Sequence, residues 1–306
     1  MPPITLPQRG TQEFPRQISE MIFEDTAQAS VIQKLARRVN LPASGVAIPV
    51  TTESPRAGWV SEGQRKPSTS AAQSFMVMDP KKIAAILVFS EEYVRSDPSR
   101  LFANVRPQLQ EAFAKAFDLA AMHGQSYDGT PGPFPESLAD VTKAVEMGTT
   151  AQAQGGTYGD LVAGLKLLTD DRKRLTGFAV DPMMEPTLLA SVDLNGRPIW
   201  TDAPADASLP NRLLNRPAGM SEGVAGDVNG APTNVRAIGG DWSKTAWGIG
   251  SSISYAISRE TSVTIDGQLV SLWENNLVAL RAEAEYGFVV GDIDAFVRYT
   301  DTPAAA

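Results

Sequence analysis

The sequence predicts an α+β fold, because strong helix and strand patterns both occur and lie in different segments. Residues 98–123 form the clearest helix, with apolar residues that recur every four positions along one stripe. Residues 81–90 form an almost continuous apolar run, which is typical of a buried strand. Residues 252–258 alternate serine with larger apolar residues, as a half-buried strand does. A chain of 306 residues usually exceeds one core, so we expect two subdomains.

Composition excludes several classes of protein. The chain has no Cys, which excludes disulfides, thiolate nucleophiles and cysteine metal sites and suits a reducing cytosol. A net charge of −8 argues against a general nucleic-acid binder, because such proteins neutralise phosphates with clustered Lys and Arg. No window approaches 18 uninterrupted apolar residues and the N-terminus lacks an apolar signal region, so we expect no membrane partner.

A single histidine makes a metal site improbable on chemical grounds. His123 alone cannot supply a zinc ligand set, and we expect no metal and no cofactor. It precedes Gly124 at a predicted helix end, where a charged imidazole would interact favourably with the helix dipole.

The first ninety residues predict an arm followed by two strands that flank a long loop. Four prolines in the first 15 residues favour an extended arm, which we place with a short helix in residues 1–43. Within residues 44–90, the segment 51–73 is too long for an ordinary hairpin turn. This loop contains the stretch "GWVSEGQRKPSTS", which combines Trp59 with three charged residues, Glu62, Arg65 and Lys66.

The long helix has start and stop signals at both ends. Asp97 is placed as the N-cap, Pro98 as the first helical residue and Gly124 just past the end. Pro107 is expected to kink the helix or divide it. If continuous, the helix spans roughly 39 Å at 1.5 Å per residue, so we predict a strut.

The remainder mixes helices and strands. We expect loops with one strand up to residue 157, then a second unit that begins with a helix and is rich in loops over 193–235. A strand follows near residue 250, and the chain is predicted to close with a helix over 269–285 and a strand over 287–299. The tail "TPAAA" is expected to fray.

No catalytic motif emerges. The sequence lacks a GxxxxGK[ST] phosphate loop, a GxGxxG turn, a GxSxG elbow and an HExxH helix. We therefore predict no conventional enzyme activity, and an enzyme with an unrecognised site remains an alternative.

The order of segments and several local stretches resemble the major capsid proteins of tailed double-stranded-DNA bacteriophages, which have the Hong Kong ninety-seven type capsid fold. The resemblance covers most of residues 30–300. Its stretches are "AGWVSEGQRKPSTSAAQSFMVMDPKKIAAILVFSEEYVRSD", "AFAKAFDLAAMHG", "GDWSKTAWGIGSSISYAISRE" and "LWENNLVALRAEAEYGFVV".

The resemblance implies an N-terminal arm, an extended β-hairpin loop, a long spine helix, a peripheral domain and an axial domain. In this sequence they correspond to 1–43 for the arm and short helix, 44–90 for the extended loop and its strands, 91–157 with 259–306 for the peripheral domain, 98–123 for the spine helix and 158–258 for the axial domain. The extended loop would lie over a neighbouring subunit, so Trp59, Glu62, Arg65 and Lys66 are predicted inter-subunit contacts. The alternative is that Trp59 packs on its own hairpin.

The resemblance also implies a covalent possibility, since some members cross-link autocatalytically. Lys66 matches the attacking lysine, Asn276 the asparagine and Glu283 the proton acceptor. On a helix, Asn276 and Glu283 would be two turns apart and share one face. The alternative is an unreactive lysine in a solvated loop.

The implied function is a structural major capsid protein that self-assembles into hexamers and pentamers of an icosahedral head enclosing double-stranded DNA. The expected partners are other copies of the chain, a separate scaffolding protein (because the sequence starts with a short arm), a portal, decoration proteins and DNA bound without sequence specificity. The expected location is the virion capsid, after assembly in the host cytoplasm. The alternative within the same fold is an encapsulin-type shell that encloses cargo enzyme.

Overall fold

The computed structural model describes most of the chain beyond the N-terminal arm. The described residues are 30–51, 57–66, 73–96, 98–192, 195–201, 211–228, 230–265 and 267–301. The predicted N-cap at Asp97, most of the predicted arm and the predicted fraying tail lie outside these ranges.

Five α-helices and seventeen strands are found in the described ranges. The α-helices are α1 Val31–Leu35, α2 Glu91–Ser96, α3 Pro98–His123, α4 Thr157–Asp170 and α5 Glu185–Ala190. The strands are β1 Arg37–Asn40, β2 Val46–Thr51, β3 Gln73–Met78, β4 Lys81–Ser90, β5 Ala144–Glu146, β6 Gly177–Val180, β7 Trp200–Thr201, β8 Arg212–Leu213, β9 Arg216–Met220, β10 Asp227–Val228, β11 Ala231–Pro232, β12 Val235–Gly240, β13 Thr245–Ser258, β14 Ser262–Ile265, β15 Gln268–Ser271, β16 Leu277–Val290 and β17 Phe296–Thr300. Short 3-10 helices cover Leu138–Asp140, Gln152–Gln154, Pro182–Met184, Trp242–Lys244 and Ile293–Ala295.

The long helix α3 packs against a four-stranded sheet with strand order β1-β13-β16-β4. Every second residue of β16 from Leu280 to Val290 enters the core shared with α3, as the two-residue period of a strand requires. Phe117 of α3 lies with its ring centroid 5.3 to 6.5 Å from those of Phe134, Trp247, Tyr286 and Phe288. This aromatic cluster fixes the helix on the sheet.

The predicted helix at 98–123 is confirmed. Pro107 lies inside α3 without dividing it, so the expected division is not observed. Within the described part of the chain, none of the helices combines the length and the apolar character needed to span a bilayer.

A seven-stranded sheet with order β5-β17-β12-β6-β9-β8-β7 forms the second core. Helix α4 packs on it through Leu161 and Leu168, both fully buried. Gly164 permits this close packing, because a Cβ at that position would overlap Tyr299 of β17. The Tyr299 hydroxyl donates a hydrogen bond to the Leu161 carbonyl at 3.2 Å.

Each of the two large sheets contains strands from both the predicted axial and the predicted peripheral range. Strand β13 falls in the predicted axial range 158–258, yet it lies between β1 and β16 in the four-stranded sheet. Strand β17 falls in the predicted peripheral range 259–306, yet it lies between β5 and β12 in the seven-stranded sheet. The division into peripheral and axial domains stays a prediction, with these sheets as the observed units.

The predicted helix over 269–285 is wrong. Strand β15 occupies Gln268–Ser271 and β16 occupies Leu277–Val290, with β4 and β13 hydrogen-bonded on its two sides. The Ala, Glu and Leu residues of "LVALRAEAEYGFVV" favour a helix locally, but pairing on both edges overrides that preference.

Candidate assembly interface

Strands β2 and β3 form an antiparallel hairpin with one face on the body of the protein. The register pairs Val46 with Met78 and Thr51 with Gln73. Val46, Ile48, Met76 and Met78 point to one face, where they join Leu41, Ala246 and Val289 in a small apolar cluster. The hairpin therefore has a fixed inner face.

The opposite face of this hairpin is apolar and uncovered. We call Ala47, Pro49, Phe75 and Val77 the outer hairpin face, and all four residues are exposed. The exposed fraction is 67% for Phe75 and 57% for Val77. Because β2 and β3 are the only strands of their sheet within the described residues, no other described strand extends this surface. An exposed apolar patch of this kind is a candidate interaction site.

Strands β2 and β3 flank the loop that contains Trp59 and the three charged residues predicted as contacts. Within it, the Gln64 amide donates to the Ser61 carbonyl at 3.1 Å, and Gly63 has the positive φ of 80° that such a turn needs. Trp59 is fully exposed, so in this subunit it does not pack on its own hairpin. Its indole is available to a partner.

The charged residues of the loop are exposed as well. Glu62, Arg65 and Lys66 are all on the surface, and none forms an ion pair with another described residue. The four predicted contact residues therefore share one accessible loop, and their inter-subunit contacts stay a prediction.

Two of the predicted cross-linking residues, Asn276 and Glu283, lie in a turn and a strand and not on the predicted helix. Asn276 is exposed in the turn before β16, with a φ of 51°. The backbone carbonyl of Asn276 accepts a hydrogen bond from the Glu91 backbone amide at 2.8 Å. Asparagine tolerates this left-handed conformation better than most residues, which explains the turn at this point.

Glu283 lies well away from Asn276. It sits within β16, where its carboxylate binds Lys82 Nζ at 3.2 Å and Arg281 Nε at 3.4 Å. Seven residues of extended chain span roughly 23 Å. The prediction that Asn276 and Glu283 share one helical face is wrong, because this segment is a strand.

A buried carboxylate that sequence reasoning missed anchors the start of the described chain. Asp118 of α3 is fully buried and accepts hydrogen bonds from the Ser30 hydroxyl at 2.6 Å, the Val31 amide at 3.2 Å and the Ser221 hydroxyl at 3.3 Å. Burial raises the pKa of Asp118 to about 6, against the opposing effect of these hydrogen bonds. In the sequence, the position of Asp118 among the apolar residues of α3 was the only indication that this carboxylate is buried.

The single histidine serves the same region. His123 Nε2 donates to the Val224 carbonyl at 2.9 Å. Burial lowers the pKa of His123, which favours the neutral imidazole over the charged form expected at this helix end. Within the described ranges, no three acidic or histidine side chains converge as a metal site would require.

Comparison with known proteins identifies the type of subunit that carries this hairpin. A model of the "Phage capsid family" matches residues 13–301. The chain is 35% identical over 289 residues to the "Probable major capsid protein gp17" of Mycobacterium phage D29, which covers 91% of this chain and 87% of that protein. The corresponding protein of Mycobacterium phage L5 is 33% identical over 296 residues, covering 92% of this chain and 87% of that one.

Solved structures agree with the sequence comparison. A chain from Gordonia phage Cozz superposes with a TM-score of 0.69 at 26% identity, covering 90% of this chain and 87% of that chain. A chain from Mycobacterium phage Ogopogo gives a TM-score of 0.68 at 22% identity, covering 90% and 92%, and supports the fold alone. The predicted α+β capsid fold is confirmed. This chain belongs to the phage capsid family, as a major capsid protein that forms the shell of the virion.

Proposed function

We propose that subunits of this major capsid protein assemble into pentamers and hexamers of an icosahedral head that encloses double-stranded DNA. In this proposal the outer hairpin face and Trp59 are covered by the neighbouring subunit. The supporting observations are a fully exposed Trp59 in the loop and an exposed apolar face on the two strands that flank this loop. A large aromatic with charged flanks is typical of an interface anchor.

Burial of the exposed apolar side chains would favour association. Burying a large apolar side chain contributes roughly 2 kcal/mol, and each subunit of a closed ring would bury Trp59, Phe75 and Val77 once. A closed shell repeats the contact in every subunit, so even a modest loss per contact would change the yield of particles strongly.

Substituting the anchor tests this proposal. We expect Trp59→Ala to fold normally but to yield few closed particles by electron microscopy and sedimentation. Tyr127→Ala is the matched control, because Tyr127 is an exposed aromatic (71%) in a different loop. Normal shells from Trp59→Ala would contradict the role of the loop.

The enclosed material separates the phage head from the encapsulin-type alternative. Nuclease-resistant double-stranded DNA inside purified particles would support the head, whereas cages filled with cargo enzyme and free of DNA would support the alternative. The net charge of −8 is compatible with a shell that surrounds DNA without gripping it base by base.

We further propose that a separate scaffolding protein, a portal and decoration proteins join the assembly, which takes place in the host cytoplasm. Mass spectrometry of immature and mature particles from infected cells tests each partner. A scaffold should be abundant in immature particles and absent from mature ones.

The cross-link between Lys66 and Asn276 of a neighbouring subunit also remains a proposal. The Lys66 amine, once deprotonated, would attack the Asn276 side-chain carbonyl carbon, form the new C–N bond and release ammonia. The exposure of both residues supports access. Glu283 lies roughly 23 Å along the strand from Asn276 of its own chain, so it would accept the proton only as a residue of a different subunit, after release from Lys82 and Arg281.

Denaturing electrophoresis of mature particles decides between a cross-link and an unreactive loop lysine. A ladder that collapses to one band in Lys66→Arg would support the cross-link. A single band near 32.7 kDa from unmodified particles would end it.

A further inference from the structure

Three parts of the fold meet at the carboxylate of Asp118. Its Oδ1 atom accepts a hydrogen bond from the Ser30 hydroxyl at 2.6 Å, and its Oδ2 atom accepts from the Val31 amide at 3.2 Å and the Ser221 hydroxyl at 3.3 Å. Ser30 and Val31 begin α1, Asp118 belongs to α3, and Ser221 directly follows β9. One carboxylate oxygen therefore receives donors from two segments that are distant in the chain.

The segment that follows β9 lies along α3. We call residues 221–226 the strap, since they join β9 of the seven-stranded sheet to β10. The Val224 carbonyl of the strap accepts a hydrogen bond from His123 Nε2 at 2.9 Å. Gly223 permits the close approach, because a Cβ there would lie 2.6 Å from the Asp118 Cβ. The strap thus connects one core of the protein to the long helix of the other.

The start of α1 depends on the same carboxylate. The Ser30 hydroxyl caps the helix by accepting from the Gln33 amide at 3.2 Å, and it donates to Asp118. Helix α1 has only five residues, and a helix of this length is stable only through contacts outside itself. Loss of the hydrogen bond to Asp118 would therefore loosen the first turn of α1.

A buried carboxylate makes its donors depend on one another. Asp118 is fully buried, so water does not replace a donor that moves away. A buried charge that loses one of its donors is costly, which weakens the remaining arrangement as a whole. Opening on the strap side is therefore expected to favour opening on the α1 side, and the reverse.

We propose that Asp118 couples the start of α1 to the strap, so that the two segments open and close as one unit. A displacement of residues 30–33 is then transmitted through the carboxylate to the strap and to β9 of the seven-stranded sheet. Local opening in cooperative units of this kind is a general property of folded proteins. The proposal does not depend on the outer hairpin face or on the loop that contains Trp59.

Amide hydrogen exchange of full-length subunits before assembly tests this coupling, because each segment has amides whose acceptor lies at the junction. On the α1 side these are the amides of Val31 and Gln33. On the strap side it is the Gly223 amide, which donates to Ser221 Oγ at 3.2 Å. A hydroxyl is removed on one side and exchange is measured on the other, so that the direct loss of an acceptor does not contribute.

Each substitution should be felt at the far side of the junction. Ser221→Ala should accelerate exchange of the two α1 amides by roughly tenfold, because a hydrogen bond to a charged group is lost from the shared unit. Ser30→Ala should accelerate the strap amide by a similar factor. The amide of Leu168 in α4 should keep its rate. Unchanged exchange at the far side would overturn the proposal, as would equal acceleration in α4, which indicates global unfolding.

A matched control separates the carboxylate from the strap as such. Lys115 also holds the strap, through an exposed ion pair with Glu222 at 2.7 Å rather than through Asp118. Lys115→Gln should therefore leave the exchange of the two α1 amides unchanged. Acceleration as large as that caused by Ser221→Ala would show that any loosening of the strap reaches α1, and would overturn the role of Asp118.

A double-mutant cycle gives a second test from the same variants. If both hydroxyls act on one carboxylate, the unfolding constant of the double variant Ser30→Ala with Ser221→Ala should differ from the product of the two single effects by about threefold or more. Agreement with that product would overturn the coupling. If Ser221→Ala does not fold, Ser221→Cys replaces it in both tests, because a thiol is only a weak donor.

Discussion

The hairpin β2–β3 and the sheet beneath α3 are built from the same alternating pattern but are completed differently. In β16, alternate residues from Leu280 enter the core with α3, and Val289 on the other side contacts the hairpin. In β3, Met76 and Met78 contact the body, whereas Phe75 and Val77 are exposed and no residue in the described part of the chain covers them. The core beneath α3 is complete within the subunit, and we propose that the outer hairpin face is covered by a neighbouring subunit.

The largest change in stability is expected in the core between α3 and its sheet. Phe117→Ala should lower the free energy of unfolding by about 3–5 kcal/mol, because it removes a ring packed against four other aromatic rings. Urea denaturation of the soluble subunit measures this loss. A change below about 1 kcal/mol would mean that the aromatic cluster does not hold α3 on its sheet.

Adjacent residues of β3 offer the sharpest contrast between the two regions. Met76→Asp should cost the subunit about 2–4 kcal/mol of stability, since it places a charge on the inner face. Phe75→Asp should change subunit stability by no more than about 0.5 kcal/mol yet prevent assembly, since it alters only the outer hairpin face.

Denaturation of subunits and sedimentation of assembly reactions measure the two effects separately. Equal stability losses from the two β3 variants would show that the hairpin has no distinct inner and outer faces.

Asp118, the buried carboxylate of α3, predicts that the stability of the subunit depends on pH. The folded pKa of Asp118, about 6, lies above the ordinary value of 3.8, because burial opposes the charged form. This cost is absent below pH 3.8, grows as the pH rises to about 6 and is fully present above it. A difference of this size between the folded and the ordinary pKa corresponds to about 3 kcal/mol.

The Asp118→Asn variant isolates this contribution, because all other titrating groups cancel in the difference. The stability advantage of the unmodified subunit over the variant should shrink by up to about 3 kcal/mol between pH 4 and pH 7. An advantage that instead grows with pH would show that the hydrogen bonds from Ser30, Val31 and Ser221 outweigh the burial.

The smallest expected effect concerns the exposed side of α3. Lys115 Nζ binds Glu111 at 2.6 Å and Glu222 at 2.7 Å, and these contacts raise the pKa of Lys115. Because these pairs are exposed, Lys115→Gln should cost only about 0.5 kcal/mol, and less at 1 M salt. Thermal denaturation at two salt concentrations measures the difference. A loss above about 2 kcal/mol would mark a larger role for this surface.

Local signals in the sequence were sufficient for some elements of the fold. The bounds of α3 follow from its four-residue apolar stripe, Pro98 and Gly124. The stretch "SFMVM" predicts a strand, but its four consecutive apolar residues do not distinguish an inner from an outer face, which only the exposure values show.

Other elements depend on partners distant in the chain. Strand β16 has the composition of a helix and becomes a strand because β4 and β13 pair with it from segments far away in sequence. The position of β17 between β5 and β12 and the three donors gathered around Asp118 are likewise long-range arrangements. The cross-linking hypothesis lost its geometric support for this reason, because a helical period was assumed where the pairing imposes a strand.

The most direct test of the central claim is an electron cryomicroscopy map of the assembled particle at side-chain resolution. We predict that Trp59, Phe75 and Val77 lose most of their exposed surface to a neighbouring subunit. A map in which the hairpin of each subunit extends into solvent, with Trp59 and the outer hairpin face uncovered, would contradict it.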